Sequence, residues 1–283
     1  MLVNIGSGVA KSAKFFYNNI HSYKIYGLFC LNCFFKKKHL SNADFKQKCK
    51  IIRLKMNNQK CLYNIMFNSQ DNQDKYLETN IFKGYKNGFY VDVGAHDGIS
   101  FNNTLYFEKH NNWSGINIEP IKKVFDNLVL NRPNNINLNC AVCNNDGETE
   151  FLCNTGYTEM ISGIKDYFDV RHLQRLQREN KQHGSITEVI KVETKKLETI
   201  LNANNISHIN YLSIDVEGAE FEVIKSIHFD KVFIDVIGFE NNYNNVSVPI
   251  VEYLQNKGFV IIHKSLDIFM INKMSIFYKP MNI

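Results

Sequence analysis

The stretch Phe89-Tyr90-Val91-Asp92-Val93-Gly94-Ala95-His96-Asp97-Gly98 decides how the rest of the chain reads. Phe89–Val93 is made of β-branched and aromatic residues around one acid, a strand composition, and Gly94 ends it. Helical patterning follows over Phe101–His110. A strand that enters a glycine turn and then a helix presents unpaired backbone N–H groups, and glycine lets a ligand come close to the backbone. Two uses of this device do not fit. A dinucleotide site needs G-x-G-x-x-G, whereas Gly94 and Gly98 are spaced G-x-x-x-G; a phosphate loop needs Gly-Lys-Ser/Thr, and none is present. Asp92 would repel a pyrophosphate, but it suits a cationic ligand such as the sulfonium of S-adenosylmethionine.

Outward from this stretch, strand-like and helix-like runs alternate from about residue 60, the pattern of an α/β fold with a mostly parallel sheet. Ser114–Glu119 reads as the next strand, stopped by Pro120, with a helix over Ile121–Asn131. Ile136–Val142 reads as a third strand and Thr149–Cys153 as a short one. Asn210–Asp215 and Val232–Glu240 are strands separated by a helix over Ala219–Ile227. A helix over Val248–Lys257 is capped by Gly258, and Phe259–Lys264 with Asp267–Asn272 closes as an antiparallel pair. An insertion over about 155–187 breaks the rhythm. Its polar part carries Arg171, Arg175, Arg178 and Lys181 and reads as a lid, a substrate-facing segment or a plain surface helix.

In an open parallel sheet, ligands bind beyond the carboxyl ends of the strands, so acids there are the candidates for chemistry. Glu119 ends the strand after the glycine turn, where a carboxylate accepts both hydroxyls of a ribose. Ala141 falls where an adenine ring would lie, with Asn144 and Asp146 as candidates for its amino group. A second strand–glycine–helix unit, Leu212-Ser213-Ile214-Asp215-Val216-Glu217-Gly218-Ala219-Glu220, brings Asp215 and Glu217 to the same edge. The expected cofactor set is therefore Asp92, Gly94, His96, Gly98, Asn103, Glu119, Ala141 and Asp215. The expected catalytic set is Asp215, Glu217 and His96, with His172 and Glu240 facing the acceptor. Asp215 and Glu217 serve either as a base for an acceptor hydroxyl or as ligands of a divalent cation that acidifies it. Glu220 and Glu222 read as a solvated helix face.

The combination of FYVDVGAHDG, the strand ending NIEP, the NCAV strand and SIDVEGAE followed by a strand ending Gly-Phe-Glu-Asn resembles the FkbM-type methyltransferases, a branch of the Rossmann-like class I enzymes. The resemblance runs from roughly Tyr85 to Lys273. It implies a seven-stranded, mostly parallel sheet with helices on both faces and the last strand antiparallel. It also implies S-adenosylmethionine as methyl donor and O-methylation of a hydroxyl. A sugar or glycan acceptor is the expectation; a small-molecule or lipid hydroxyl, or a catalytically silent binding module, are the alternatives.

Charge separates the chain into two parts. Residues 1–60 hold twelve Lys/Arg against the single acid Asp44, whereas the remainder holds 21 basic and 27 acidic residues. The expected organisation is a basic N-terminal extension over 1–60, able to meet an anionic membrane surface, and a methyltransferase domain over 61–283. Met56, where globular patterning begins, could even be a start site. A mildly acidic body argues against a nucleic-acid acceptor. The apolar run Ile25–Phe35 is too short to span a bilayer, and no run approaches the roughly 20 residues needed. Seven cysteines without framework spacing point to reduced thiols and a cytoplasmic setting, and the basic extension adds a membrane-peripheral one as the alternative. The pairs Cys30–Cys33 and Cys140–Cys143 are poor candidates for zinc.

Overall fold

Val91 and Val93 point to one side of the first strand and Tyr90 and Asp92 to the other, and this alternation builds the domain on both faces of a sheet. The computed structural model describes residues 67–241 and 244–280, which belong to a unit beginning at Phe67. The basic extension, with Ile25–Phe35, Cys30, Cys33 and Met56, lies outside the described residues.

The strands in chain order are β1 (Phe89–Val93), β2 (Ser114–Ile118), β3 (Ile136–Leu138), β4 (Ala141–Val142), β5 (Gly147–Asn154), β6 (Gly163–Ile164), β7 (Thr187–Lys195), β8 (His208–Ile214), β9 (Phe233–Glu240), β10 (Phe259–Lys264) and β11 (Asp267–Asn272). The helices are α1 (Gln73–Leu77, continued by a π turn over Glu78–Phe82), α2 (Leu105–Asn111), α3 (Lys122–Asn131), α4 (Val170–His183), α5 (Leu197–Ala203), α6 (Glu220–Lys225) and α7 (Asn244–Asn256). Seven strands form the main sheet in the order β10-β11-β9-β8-β1-β2-β3. Pairing is parallel from β9 through β3, while β11 runs antiparallel to both β9 and β10. The expected α/β fold, with seven strands and the last one antiparallel, is the fold observed.

Each face of the sheet has its own core. On one, Val91, Ile118, Leu212, Ile214 and Ile237 pack with Leu197 and Leu201 of α5, Val223 and Ile224 of α6 and Leu254 of α7. On the other, Tyr90, Tyr211, Val236 and Phe269 pack with Leu77, Phe82, Phe107 and Trp113. Each fully buried side chain of this kind stabilises the fold by about 1.5–3 kcal/mol before chain entropy is charged against it. Chain order reverses between β1 and β8, since β1 leads outward to β2 and β3 while β8 leads the other way to β9. The crossovers therefore diverge there, and a crevice opens at the carboxyl ends of these two strands.

Two expectations need correction. The expected single strand Ile136–Val142 is two strands in two sheets. At the break, the Asn139 amide donates to the carbonyls of Glu119 (2.8 Å) and Pro120 (2.9 Å), and β4 then joins a second, four-stranded sheet, β4-β7-β5-β6. The insertion is consequently more than a loop or a lone helix. β5 and β7 pair antiparallel from Gly147↔Thr194 to Asn154↔Thr187, and β6 and α4 lie between them in sequence. Among the described residues no helix is long and apolar enough to cross a membrane.

Candidate functional site

The glycine turn is shaped first by the protein's own atoms. Gly94 has φ +88°, and a Cβ there would stand 1.8 Å from the carbonyl oxygen of Asp215. The Asp215 N–H donates to the Val93 carbonyl at 2.9 Å, so β1 and β8 are locked together where both strands end. Gly98 has φ +75°, and its missing side chain leaves room for Leu128 and Arg132. Sequence reasoning gave both glycines to ligand approach; the close contacts that require them are internal.

Asp92 is buried, and its Oδ2 accepts from Asn102 Nδ2 (2.8 Å) and Thr104 Oγ1 (2.9 Å), which draws the segment after the turn back onto β1. Burial raises the Asp92 pKa, opposed by the Arg132 guanidinium and these two donors. Arg132, fully buried at the end of α3, was not anticipated. It pairs with Glu108 through Nε and donates to the Gly98 carbonyl (3.0 Å), Asn102 Oδ1 (3.1 Å), the Tyr90 hydroxyl (2.7 Å) and Thr104 Oγ1 (3.2 Å).

The cleft at the switch point is lined by the expected Asp92, Gly94, His96, Asn103, Glu119, Ala141, Asp215, Glu217 and Glu240. Gly98 does not line it but packs beneath the turn. His96 adopts φ +50° and lies 3.2 Å from Glu159 Oε1 through Nε2 and 3.6 Å from Asp97 Oδ1 through Nδ1. Burial works against its charged form, yet Asp97, Glu119 and Glu159 outweigh burial and raise its pKa. Glu159, which precedes β6 in the insertion, is a cleft residue that sequence reasoning missed. Glu119 accepts from the Ile121 N–H at 2.8 Å, and burial pushes its carboxyl up to about 7. Near it the wall is apolar, formed by Ala141, Val142, Phe151 and Ile164.

At the other end, carboxylate oxygens of Asp215, Glu217 and Glu240 lie within 4.8 Å of one another. Each stands just beyond a strand or at its last residue, so parallel register brings them together. Asp215 is exposed to the cleft but closely surrounded by protein, and this enclosure, with Asp267, Glu220 and Asp92 nearby, pushes its carboxyl up to about 7. Burial, then Asp215 and Glu220, raises Glu217 well above the usual range; burial, then Asp215 and Glu217, pushes Glu240 up to about 11. His172 of α4 is buried with Nε2 3.3 Å from Glu217 Oε2, and burial with Arg175 lowers its pKa. It reaches the acidic cluster but does not line the cleft itself. Buried Asn103 Oδ1 and Glu240 Oε2 have no hydrogen-bond partner among the described residues, a condition that a bound polar ligand would relieve. Three hard oxygen donors also form a set suited to a divalent cation.

Asn144 and Asp146 do not line the cleft. Asp146 accepts from Lys196 N (2.7 Å) and Thr199 Oγ1 (2.9 Å), which caps α5, and Asn144 bonds Glu222. Their expected place at an adenine is therefore corrected. Glu220 is buried rather than solvated and accepts from the Gly218 N–H at 3.0 Å. Cys140 and Cys143 are buried in different apolar clusters.

The raised carboxyls have a consequence for stability. Glu119 and Asp215 hold protons up to about pH 7 in the folded chain, whereas unfolded carboxyls release them near roughly pH 4–4.5. The folded state binds more protons across that window, so this contribution to stability is lost as pH rises through it. Thermal melts of ligand-free protein are expected to show Glu119→Gln flattening the decline in Tm between about pH 5 and about pH 7.5. His172 contributes with the opposite sign, so the comparison of variant with wild type is decisive. An unchanged slope would remove Glu119 as a source.

The sequence profile described as the methyltransferase FkbM domain matches residues 92–261. Among curated proteins none matches the chain. A crystal structure described as that of a proposed rRNA-methylase from Clostridium thermocellum is similar at 10% identity and a TM-score of 0.35, covering 72% of this chain and 94% of that one. The profile match spans more than half of the chain and takes in the glycine turn, Glu119 and the whole acidic cluster, and on that ground the chain belongs to the FkbM methyltransferase family.

Proposed function

We propose that this protein is an S-adenosylmethionine-dependent O-methyltransferase whose acceptor is a hydroxyl of a sugar or glycan. The observation that carries this reading is one cleft bounded at one end by Glu119 and an apolar wall, and at the other by three carboxyls. Glu119 suits the ribose, Ala141, Val142, Phe151 and Ile164 suit the adenine face, and the unpartnered Asn103 Oδ1 suits an ammonium donor. When bound, S-adenosylmethionine supplies a methyl group already activated on sulfur, so the chain's own task is alignment and removal of one proton.

Among the three acids that line the cleft, Asp215 is the most exposed, and its pKa near 7 matches what a base at neutral pH requires. It takes the acceptor's hydroxyl proton. Glu240, pushed up to about 11, keeps its proton at that pH and donates to a neighbouring acceptor oxygen, while burial and Asp215 raise Glu217 in the same direction. The proton-sharing reading does without a divalent cation, so turnover is expected to survive dialysis against a chelator. His96, held by Asp97 and Glu159, orients the turn and is not needed as base.

Calorimetry with S-adenosylmethionine, followed by turnover on a panel of methyl glycosides, aliphatic alcohols and lipids, tests this reading. Donor binding and release of S-adenosylhomocysteine with a glycoside are expected. A protein that ignores the donor is a binding module on this fold, and turnover confined to lipid or simple alcohols would sink the sugar assignment.

A further inference from the structure

Eight described residues other than glycine have a left-handed backbone. Four are Asn72, Asn87, Asn112 and Asn205, and asparagine tolerates this conformation well; the fifth, Lys83, is the left-handed cap that ends the π turn after α1. The other three, His96, Phe101 and Glu217, all line the cleft. Strain gathered at one cleft is a mark of function, because surrounding structure must hold each residue there. Phe101 is the most costly of the three. Its φ is +53°, where a bulky side chain is rare, and it is 56% exposed, so it gains little burial in return. No ring or cation among the described residues stacks on it.

The neighbours on both sides explain how Phe101 is held. The Ser100 N–H and hydroxyl both donate to the Asp97 carboxylate at 2.7 Å. Asn102, buried, donates to Asp92 and accepts from the N–H groups of Thr104 (3.0 Å) and Leu105 (2.9 Å). With both neighbours fixed, the chain turns the intervening ring outward. The Asn103 amide then reaches Ser213 of β8 at 3.3 Å, which ties this segment to the side of the cleft where Asp215 and Glu240 end their strands.

We propose that Phe101 is the platform on which the acceptor's sugar ring stacks, its apolar C–H face on the aromatic ring and its hydroxyl edge toward Asp215, Glu217 and Glu240. The inference rests on the carbohydrate reading above and adds the residue that recognises the ring. Aromatic faces suit such partners because their negative centre attracts the weakly positive C–H groups, while the sugar's hydroxyls remain free for carboxyls. An alcohol without a ring gains nothing from this surface.

Steady-state kinetics of the full chain with S-adenosylmethionine and the best methyl glycoside of the panel, on Phe101→Gly and Phe101→Tyr, test it. Phe101→Gly is expected to raise the acceptor KM at least tenfold with kcat changed less than threefold and the donor Kd within twofold. Its Tm should equal or exceed that of wild type, since glycine relieves the backbone. Phe101→Tyr is expected to restore the KM. An unchanged acceptor KM in Phe101→Gly, a weakened donor Kd in its place, or a lowered Tm without rescue by tyrosine overturns the platform and leaves the O-methyltransferase reading intact. Absence of turnover on every glycoside overturns both.

Discussion

Asp215→Asn is expected to lower kcat by about 10²–10⁴-fold, the range supplied by a positioned general base, while leaving donor affinity within a few-fold. The substitution is clean because the backbone at this position is set independently of the side chain. Its N–H is held by Val93 and its carbonyl occupies the space beside Gly94, so asparagine would sit where aspartate does. Glu240→Gln should cost less than tenfold, because a carboxyl pushed up to about 11 is already neutral at working pH. The pH profile of wild type should rise with pH through about 7 as Asp215 loses its proton. Single-turnover measurements separate chemistry from product release and read this effect directly. Activity near wild type in Asp215→Asn would remove the base from the cluster.

Arg132→Met is expected to destabilise the folded domain by about 3–5 kcal/mol, the cost of removing one partner from a buried charge network. The aliphatic part of the side chain is kept, so the loss comes from the guanidinium. Without it Glu108 loses its ion pair, and the Gly98 carbonyl, Asn102 Oδ1 and the Tyr90 hydroxyl lose donors in a site closed to water. Urea unfolding followed by fluorescence of Trp113 measures it. A loss below about 1 kcal/mol would show that water or a rearranged turn replaces the arginine. Donor affinity should fall as well, since these bonds shape the turn that lines the cleft.

The parts of this molecule that announce themselves in sequence are those where one local pattern fixes the structure. The run FYVDV followed by glycine, and YLSIDV followed by EGAE, each combine strand composition with a turn that only a few residues satisfy, and both strand ends lie at the cleft. β7 escaped notice because most of its side chains face solvent and its alternation of apolar and charged residues resembles a polar linker. The break between β3 and β4 was hidden for a related reason, since Ile136–Val142 is uniformly strand-like and only the distant partner β7 draws its end away. Arg132 follows a helix and precedes a proline, a context in which arginine normally meets solvent; burial comes from Tyr90, Glu108 and Thr104, far off in sequence. Asp146 looked like a cleft residue because the acids of this sheet edge generally are, but the N-terminus of α5, fifty residues on, was the nearer claimant.

The second sheet begins and ends at one place: Ala141 pairs with Thr194, Val142 with Lys195, and the Cys143 N–H returns to Lys195. A segment whose two ends are stitched side by side can be exchanged as a cassette without moving either flank. Glu159 and Met160 at the cleft and His172 beside the acidic cluster all travel within it, whereas Glu119 and Asp215 stay behind on the chassis. Grafting this stretch between relatives would therefore carry the apolar wall of Ala141, Val142, Phe151 and Ile164 together with Glu159 and His172, while the acids at the main-sheet strand ends stay in place.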